Sequence, residues 1–297
     1  MKILSLGSLN IDYVYSVDHI NLAGETISAS ECETKQGGKG LNQSIALARA
    51  GAQVFMAGCM GADGGELLQM LKLAGVDTGL IRQVDGPSGH AIIQLAASGE
   101  NAIIIYGGAN LKVTPEMIDQ ALTNFQSGDY ILLQNEISCV DHAIRAAKAR
   151  GMKVVFNPSP ISRQLTEYPL ELVDLFILNK LEGQTLARTQ AENAAQILQA
   201  LACRFPQAQI VMTLGKDGAV YQNGQDTLSC KAHHVPVVDT TGAGDTFCGY
   251  FLAELLRGST TEQALTMASR ASALAIGKKG AAVSIPTREQ VEQASLV

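Results

Sequence analysis

Asp245 follows directly on Gly242-Ala243-Gly244, and an apolar helical pattern (Phe247, Phe251, Leu252, Leu255, Leu256) begins just beyond it. Three β-branched residues, Val235, Val237 and Val238, precede the stretch, so Asp239–Cys248 reads as a strand end, a glycine turn and a helix start. Backbone N–H groups are unpaired at such a terminus, and the helix dipole favours an anion there. Gly242 and Gly244 carry no Cβ and let the backbone approach a ligand. A fixed carboxylate beside an anion hole serves group transfer better than anion storage. The carboxylate of Asp245 can take a proton from an attacking hydroxyl while the N–H groups of Gly242, Ala243 and Gly244 hold the charge developing on a transferring phosphoryl group.

A second glycine-rich stretch, Gln36-Gly37-Gly38-Lys39-Gly40-Leu41-Asn42-Gln43-Ser44, precedes a helical pattern over Ser44–Ala50. It lacks the spacing of a Walker P-loop, which needs four residues between its first Gly and Gly-Lys and a Ser or Thr after the Lys. Its glycines allow close approach to a polyol, with Lys39 and Asn42 as donors; a plain tight turn into a helix has the same composition. Asn10, Asp12, Glu136, Asn157, Asn179, Glu182 and Thr213 all stand at or just past apolar strand-like runs. Any one of them alone fits a turn whose side chain caps the backbone. Seven together describe a cleft beyond the carboxyl ends of parallel strands.

The elements that must position these residues alternate. Strand patterns at Ile3–Leu9, Val54–Gly58, Tyr130–Gln134, Lys153–Phe156, Leu175–Leu178 and Ile210–Thr213 are interleaved with helical patterns at Glu66–Leu73, Val140–Arg150 and Ala191–Cys203. Thr114-Pro115-Glu116 has the form of a helix cap with Pro at the first helical position. A hairpin (Ala219–Tyr221, Thr227–Cys230) follows the turn Thr213–Gly218. Near the C-terminus a small-residue helix starts at Thr260 or Thr261, an extended piece covers Ala281–Pro286, and a short helix starts near Thr287. This rhythm predicts an α/β fold, doubly wound, with a mostly parallel sheet flanked by helices. Two regions break it, about 12–36 and 88–106, with short alternating runs at Tyr13–Val17, Glu25–Ser28, Ala91–Leu95 and Ala102–Tyr106. They predict a small β-sheet at the mouth of the site, placed to act as a lid and apolar enough to form a homodimer contact. The whole of 1–297 reads as one such domain with its lid.

Hydrophobic residues make up 46% and charged residues 17%, which indicates a buried core, and the net charge of −6 argues against nucleic acid or an anionic membrane as the main partner. No apolar run approaches the ~20 residues of a membrane span. The six cysteines have neither C-x-x-C nor metal-type spacing, so reduced thiols and a cytoplasmic protein are expected. Met1–Gly7 does not resemble a targeting signal. His233-His234 reads as surface or satisfied histidine, and Cys248 as packing.

Asp239–Phe247, in the form D-T-x-G-A-G-D-T-F, resembles the C-terminal signature of the ribokinase-like carbohydrate kinases, the phosphofructokinase B family, and Gly37-Gly38-Lys39-Gly40-x-Asn42 resembles their N-terminal signature. Gly7–Asp12, Asn157–Pro160, Asn179–Glu182, Thr213–Gly218 and Lys279–Ala281 occur in the family's order, so the resemblance covers almost the whole chain. It implies an ATP-dependent sugar kinase, most similar in pattern to those acting on the 5-hydroxyl of D-ribose. Asp245 is then the general base, and Asn10, Asp12, Gly38, Lys39, Asn42 and Glu136 hold sugar hydroxyls. Asn179 and Glu182 reach phosphate and Mg²⁺, and Thr213, Gly215, Lys216 and Gly218 line the ATP site with Ser269 near the adenine. Asp239, Thr241, Ala275, Lys278, Gly280 and Ser284 match positions that hold a monovalent cation, K⁺ in expectation, largely through backbone carbonyls. Leu41 stands where it could trim the sugar pocket, and His90 and Gln94 lie in the lid region. Deoxyribose, fructose or a nucleoside remain alternative substrates. A catalytically silent sugar-binding protein on the same fold is the reading from another class, which the intact Asp245 and Gly-Ala-Gly turn disfavour.

Overall fold

The structure, a computed structural model, describes residues 1–296. In chain order the elements are β1 (Ile3–Leu6), β2 (Asn10–Val17), β3 (Glu31–Gly37), α1 (Lys39–Arg49), β4 (Val54–Met60), α2 (Gly65–Leu73), β5 (Asp77–Gln83), β6 (Gly89–Ala96), β7 (Asn101–Tyr106), α3 (Pro115–Leu122) and β8 (Tyr130–Gln134). They continue with α4 (Val140–Ala149), β9 (Lys153–Asn157), β10 (Leu175–Asn179), α5 (Lys180–Ala187), α6 (Ala194–Arg204), β11 (Gln209–Thr213), β12 (Ala219–Asn223), β13 (Asp226–Cys230), α7 (Ala243–Arg257), α8 (Thr261–Ile276) and α9 (Arg288–Gln293).

Alternation along the strands sorts the core onto two faces of one sheet. Ile3, Leu132, Val155 and Val211 pack with residues of α1, α2, α7, α8 and α9. Their sequence neighbours Leu4, Leu133, Val154 and Ile210 point the other way, into a core with α3, α4, α5 and α6. The sheet has nine strands in the order β13-β12-β11-β10-β9-β8-β1-β4-β5. It is parallel from β5 to β11, and β12 and β13 complete it as an antiparallel hairpin. A separate four-stranded sheet, β3-β2-β6-β7, is built from the two irregular regions, with β2 and β6 parallel and the outer pairs antiparallel.

Local differences from the sequence reading have physical causes. Helix α1 starts at Lys39, not Ser44: Gly38 holds the non-helical cap geometry with φ 94°, and Gly40 lies against the end of β1, where a Cβ would stand 2.5 Å from the Gly7 carbonyl carbon. Residues 25–28 form no strand; the pairing strand is Glu31–Gly37, whose charged residues hid it. Asn10 and Asp12 belong to β2 and not to a capping turn. Strand β5 is an edge strand with little apolar pattern, and α5 starts on a reciprocal Asn179–Glu182 capping box. Val237 and Val238 are 62% and 61% exposed and join no strand; the backbone there docks on the end of α8, where the Val238 and Asp239 N–H groups donate to the Ile276 carbonyl. Residues 281–284 turn and are not extended.

Candidate active site

Asp245 lies in the first turn of α7, and its carboxylate is held by α1. Asn42 Nδ2 donates to Asp245 Oδ2 at 3.0 Å and Gln43 Nε2 donates to Oδ1 at 2.8 Å. One turn along each helix, Gly249 meets Ala46 so closely that a Cβ on Gly249 would stand 2.4 Å from the Ala46 Cβ. Absence of a side chain at Gly249 therefore sets the helix separation that makes the Asp245 contacts possible. Gln134, the last residue of β8, donates to Gln43 Oε1 at 2.8 Å. Asn157, the last residue of β9, lies 3.4 Å from Gln43 Nε2.

The N-cap of α7 is Gly242, with φ 76°. The Ala243 N–H donates to the Thr240 carbonyl at 3.2 Å, whereas no protein acceptor among the described residues faces the N–H groups of Gly242, Gly244 and Asp245. Of the three turn residues named from sequence, Gly242 and Gly244 therefore present available donors. With Asp245, Lys39, Asn157, Asn179, Glu182, Thr213 and Thr240 they line a cleft of about 240 Å³. Burial alone would lower the Lys39 pKa, but Asp245, Glu136 and Glu182 together outweigh it and hold the ammonium above its ordinary value. Lys39 thus stands as a fixed cation beside the turn.

A second group of polar residues starts where the chain passes from β1 in the main sheet to β2 in the small one. Asn10 is buried, and Asn110 Nδ2 donates to its Oδ1 at 2.7 Å while Asn110 Oδ1 accepts the Leu9 N–H. The Asn10 amide nitrogen is thereby left for a ligand. Asp12 lies over Gly37, where a Cβ would stand 2.2 Å from Asp12 Oδ2. Burial, then the Glu136 carboxylate, push the Asp12 pKa up to about 6 against a smaller opposing pull from Lys35. Glu136 accepts from the Ser8 hydroxyl and, at 3.2 Å, from the Lys39 N–H, so it caps α1; burial raises its pKa despite Lys39. Asn42 Oδ1 is a buried acceptor with no protein partner, as a ligand hydroxyl requires. Leu41 is fully buried in the core. His90 and Gln94 pair with Ile11 and Tyr15 and so lie on the face of the small sheet away from Asp12. His90 packs there between the rings of Tyr13 and Tyr106.

Asn179 and Glu182 are engaged with each other: both Glu182 oxygens accept from Asn179 while Asn179 Oδ1 accepts the Glu182 N–H. Burial nevertheless raises the Glu182 pKa. Beyond them a slot of about 330 Å³ is lined by Asn179, Thr213, Gly215, Gly218, Phe247, Ser269, Ala273 and Ile276. Its apolar side suits a flat ring, and the Ser269 hydroxyl donates to the Lys231 carbonyl at 3.1 Å. His233, read from sequence as a surface or satisfied histidine, is part of this wall. Lys216 is exposed on the Gly215–Asp217 turn and lines neither cavity.

The pfkB family carbohydrate kinase model matches residues 1–288 of the chain. The chain belongs to the pfkB carbohydrate kinase family. It is a phosphotransferase with an alcohol acceptor. A ribokinase of Haemophilus influenzae is 34% identical, with 96% of this chain and 95% of that one covered. A deoxyribokinase of Salmonella typhi is 30% identical, with 99% and 98% covered. The Arabidopsis thaliana ribokinase, solved with ribose and ATP, is 31% identical with a TM-score of 0.86, covering 98% of this chain and 97% of that one.

In this pfkB chain the segment named for a monovalent cation lies behind the Gly242 turn. Asp239 accepts from the Thr241 N–H and the Gly280 N–H, both at 2.9 Å, tying the turn to the segment. A Cβ on Gly242 would stand 3.1 Å from Ala281. The Ser284 hydroxyl donates to the Ala281 carbonyl at 2.9 Å. Ala275 is buried at the end of α8, and Lys278 is exposed. Gln43, Gln134 and Asn110 were not assigned roles from sequence. Gln134 ends a strand as Asn157, Asn179 and Thr213 do, which was the available signal; Asn110 sits in a Gly-Gly-Ala-Asn turn that no periodicity marks.

Proposed function

We propose that this chain is a ribokinase, phosphorylating the 5-hydroxyl of D-ribose with ATP. The observation that carries the reading is the Asp245 carboxylate, gripped by Asn42 and Gln43, beside the open N–H groups of Gly242 and Gly244 and the Lys39 ammonium. In this reading the 5-hydroxyl gives its proton to Asp245 as its oxygen bonds the γ-phosphorus, the bond from that phosphorus to the β–γ bridging oxygen breaks, and ADP leaves. The turn N–H groups and Lys39 meet the charge on the transferring group. Asn10, Asp12, Gly38, Asn42 and Glu136 orient the sugar, and the slot from Thr213 to Ser269 takes the nucleoside of ATP.

The residues present fit the implied ions. Glu182, Asn179 and Asn157 give the cleft an oxygen-rich end suited to Mg²⁺ held largely through water, and Mg²⁺ when bound neutralises phosphate charge. Both oxygens of Asp239 accept N–H groups, so a K⁺ ion in the Asp239–Ser284 segment would rest mainly on backbone carbonyls, as hard cations accept. The small sheet serves as the lid. In β7, Ile103, Ile104, Ile105 and Tyr106 are 52%, 66%, 58% and 53% exposed on both faces, which supports pairing with a second copy. Among the described residues all six cysteines are free thiols, which accords with a reducing, cytoplasmic compartment, and no helix is long and apolar enough to cross a membrane.

The test measures ADP formation with D-ribose, 2-deoxyribose, fructose and nucleosides, each with K⁺ and with Na⁺. D-Ribose should give the largest kcat/KM, with K⁺ exceeding Na⁺. A larger kcat/KM for 2-deoxyribose would assign the chain with its deoxyribokinase relative. Ligand-induced stabilisation with no turnover would overturn the enzyme reading.

A further inference from the structure

We propose that Gln43 and Gln134 form a positioning chain that fixes which way the Gln43 amide points, so that Asp245 Oδ1 meets a donor as its Oδ2 meets Asn42. This rests on Asp245 being the base. A carboxylate only accepts, so Gln43 Nε2, 2.8 Å from Asp245 Oδ1, must donate. The second hydrogen of that nitrogen faces Asn157 Oδ1 at 3.4 Å. Asn157 is itself committed, because its Nδ2 donates to the Ile177 carbonyl at 2.8 Å. Both sides therefore set the same orientation for Gln43, and its Oε1 is turned toward β8. There it needs a donor, which Gln134 Nε2 supplies at 2.8 Å.

Gln134 Oε1 is then left as a buried acceptor with no protein partner. It lies against Gly7, where a Cβ would stand 1.9 Å away. A buried acceptor without a partner is costly. A Leu at position 134 would avoid that cost, so the amide at Gln134 answers to the Gln43 carbonyl and not to core packing. The charged groups facing Asp245 are Lys39 from α1, Glu136 after β8 and Glu182 from α5. The Cys248 thiol adjoins it on its own helix and is pushed well up by burial. None of these replaces the Gln43 donor at Oδ1.

The experiment compares Gln134→Glu and Gln43→Glu with the unaltered chain, using whichever alcohol that chain phosphorylates best, so failure of the ribose reading is seen first and separately. Both variants preserve shape and reverse hydrogen-bonding character. At pH 8 each should lose roughly 10- to 100-fold in kcat, the worth of a charge-assisted hydrogen bond, with sugar KM within about threefold. Gln43→Glu should also recover activity as pH falls, because only its protonated carboxyl can donate to Asp245; a packing role would not produce that profile. Gln43→Met and Gln134→Met, read by melting temperature and calorimetric sugar binding, serve where a glutamate variant fails to fold. They should fold and bind sugar while losing kcat. Unchanged kcat in the folded variants overturns the proposal, as does a loss of sugar binding that matches the loss of turnover.

Discussion

At the Asp245 end of the cleft, a buried carboxylate has an amide on each oxygen, and the helix bearing it is fixed by the Gly249–Ala46 contact. At the Asp12 wall, on the small sheet, a half-buried carboxylate faces Glu136 and is pushed up to about 6. The slot end is different again: the Gly215–Asp217 part of its turn is exposed. Preorganisation thus falls from base to sugar wall to nucleotide rim. A base that meets its proton in the transition state gains most from fixed donors. A sugar-binding carboxylate can remain incompletely satisfied until hydroxyls arrive.

The comparison breaks first at Asp245→Asn. Removing a positioned base should lower kcat by about 10²–10⁴-fold, with sugar binding by calorimetry retained, since Gln43 can still donate to the new amide oxygen and Asn42, whose Oδ1 has no protein partner, can turn to accept its N–H. Retention of normal turnover would remove Asp245 from the chemistry.

A smaller effect, with an opposite sign in stability, is expected at Asp12. Its folded pKa of about 6 lies above the ordinary value of 3.8, so ionisation opposes folding: the penalty is absent below 3.8 and fully present above about 6. Asp12→Asn should therefore raise stability at pH 8 by on the order of 2 kcal/mol while weakening sugar binding. In the unaltered chain sugar affinity should fall as pH drops through 6, because the protonated carboxyl accepts fewer hydroxyls; in Asp12→Asn that dependence should vanish. A variant that loses stability at pH 8 would mean that Asp12 is already satisfied by the fold.

Much of the fold was legible because the parallel strands are apolar on both sides and end in polar residues, as Tyr130–Gln134, Lys153–Asn157 and Gln209–Thr213 show. The small sheet was legible as a region, but its strand β3 was misplaced because Glu31–Gly37 is polar and only its last residue is buried. Around the site, Asp245 and the two glycine turns were marked by composition. The amides of Gln43, Gln134 and Asn110 were not, because their partners are 202, 91 and 100 residues away, and no local spacing encodes such pairings.

Lys216 tests the shallow end of the comparison. The family resemblance implied a place for it beside ATP, and its side chain is exposed and outside both cavity walls. A long exposed lysine loses rotamer entropy when it pairs with a phosphate, so its net contribution is small. Gly218 is the tighter constraint in that turn: φ is 94°, and a Cβ there would stand 2.0 Å from the Cys230 carbonyl oxygen. Lys216→Ala should change ATP KM by no more than about threefold and leave kcat unaltered, as for an exposed ion pair. Gly218→Ala should raise ATP KM further, by displacing the turn from β13. If the lysine change proved the larger, the nucleotide end would owe its affinity to a side-chain charge, and the decline in preorganisation from Asp245 outward would not hold.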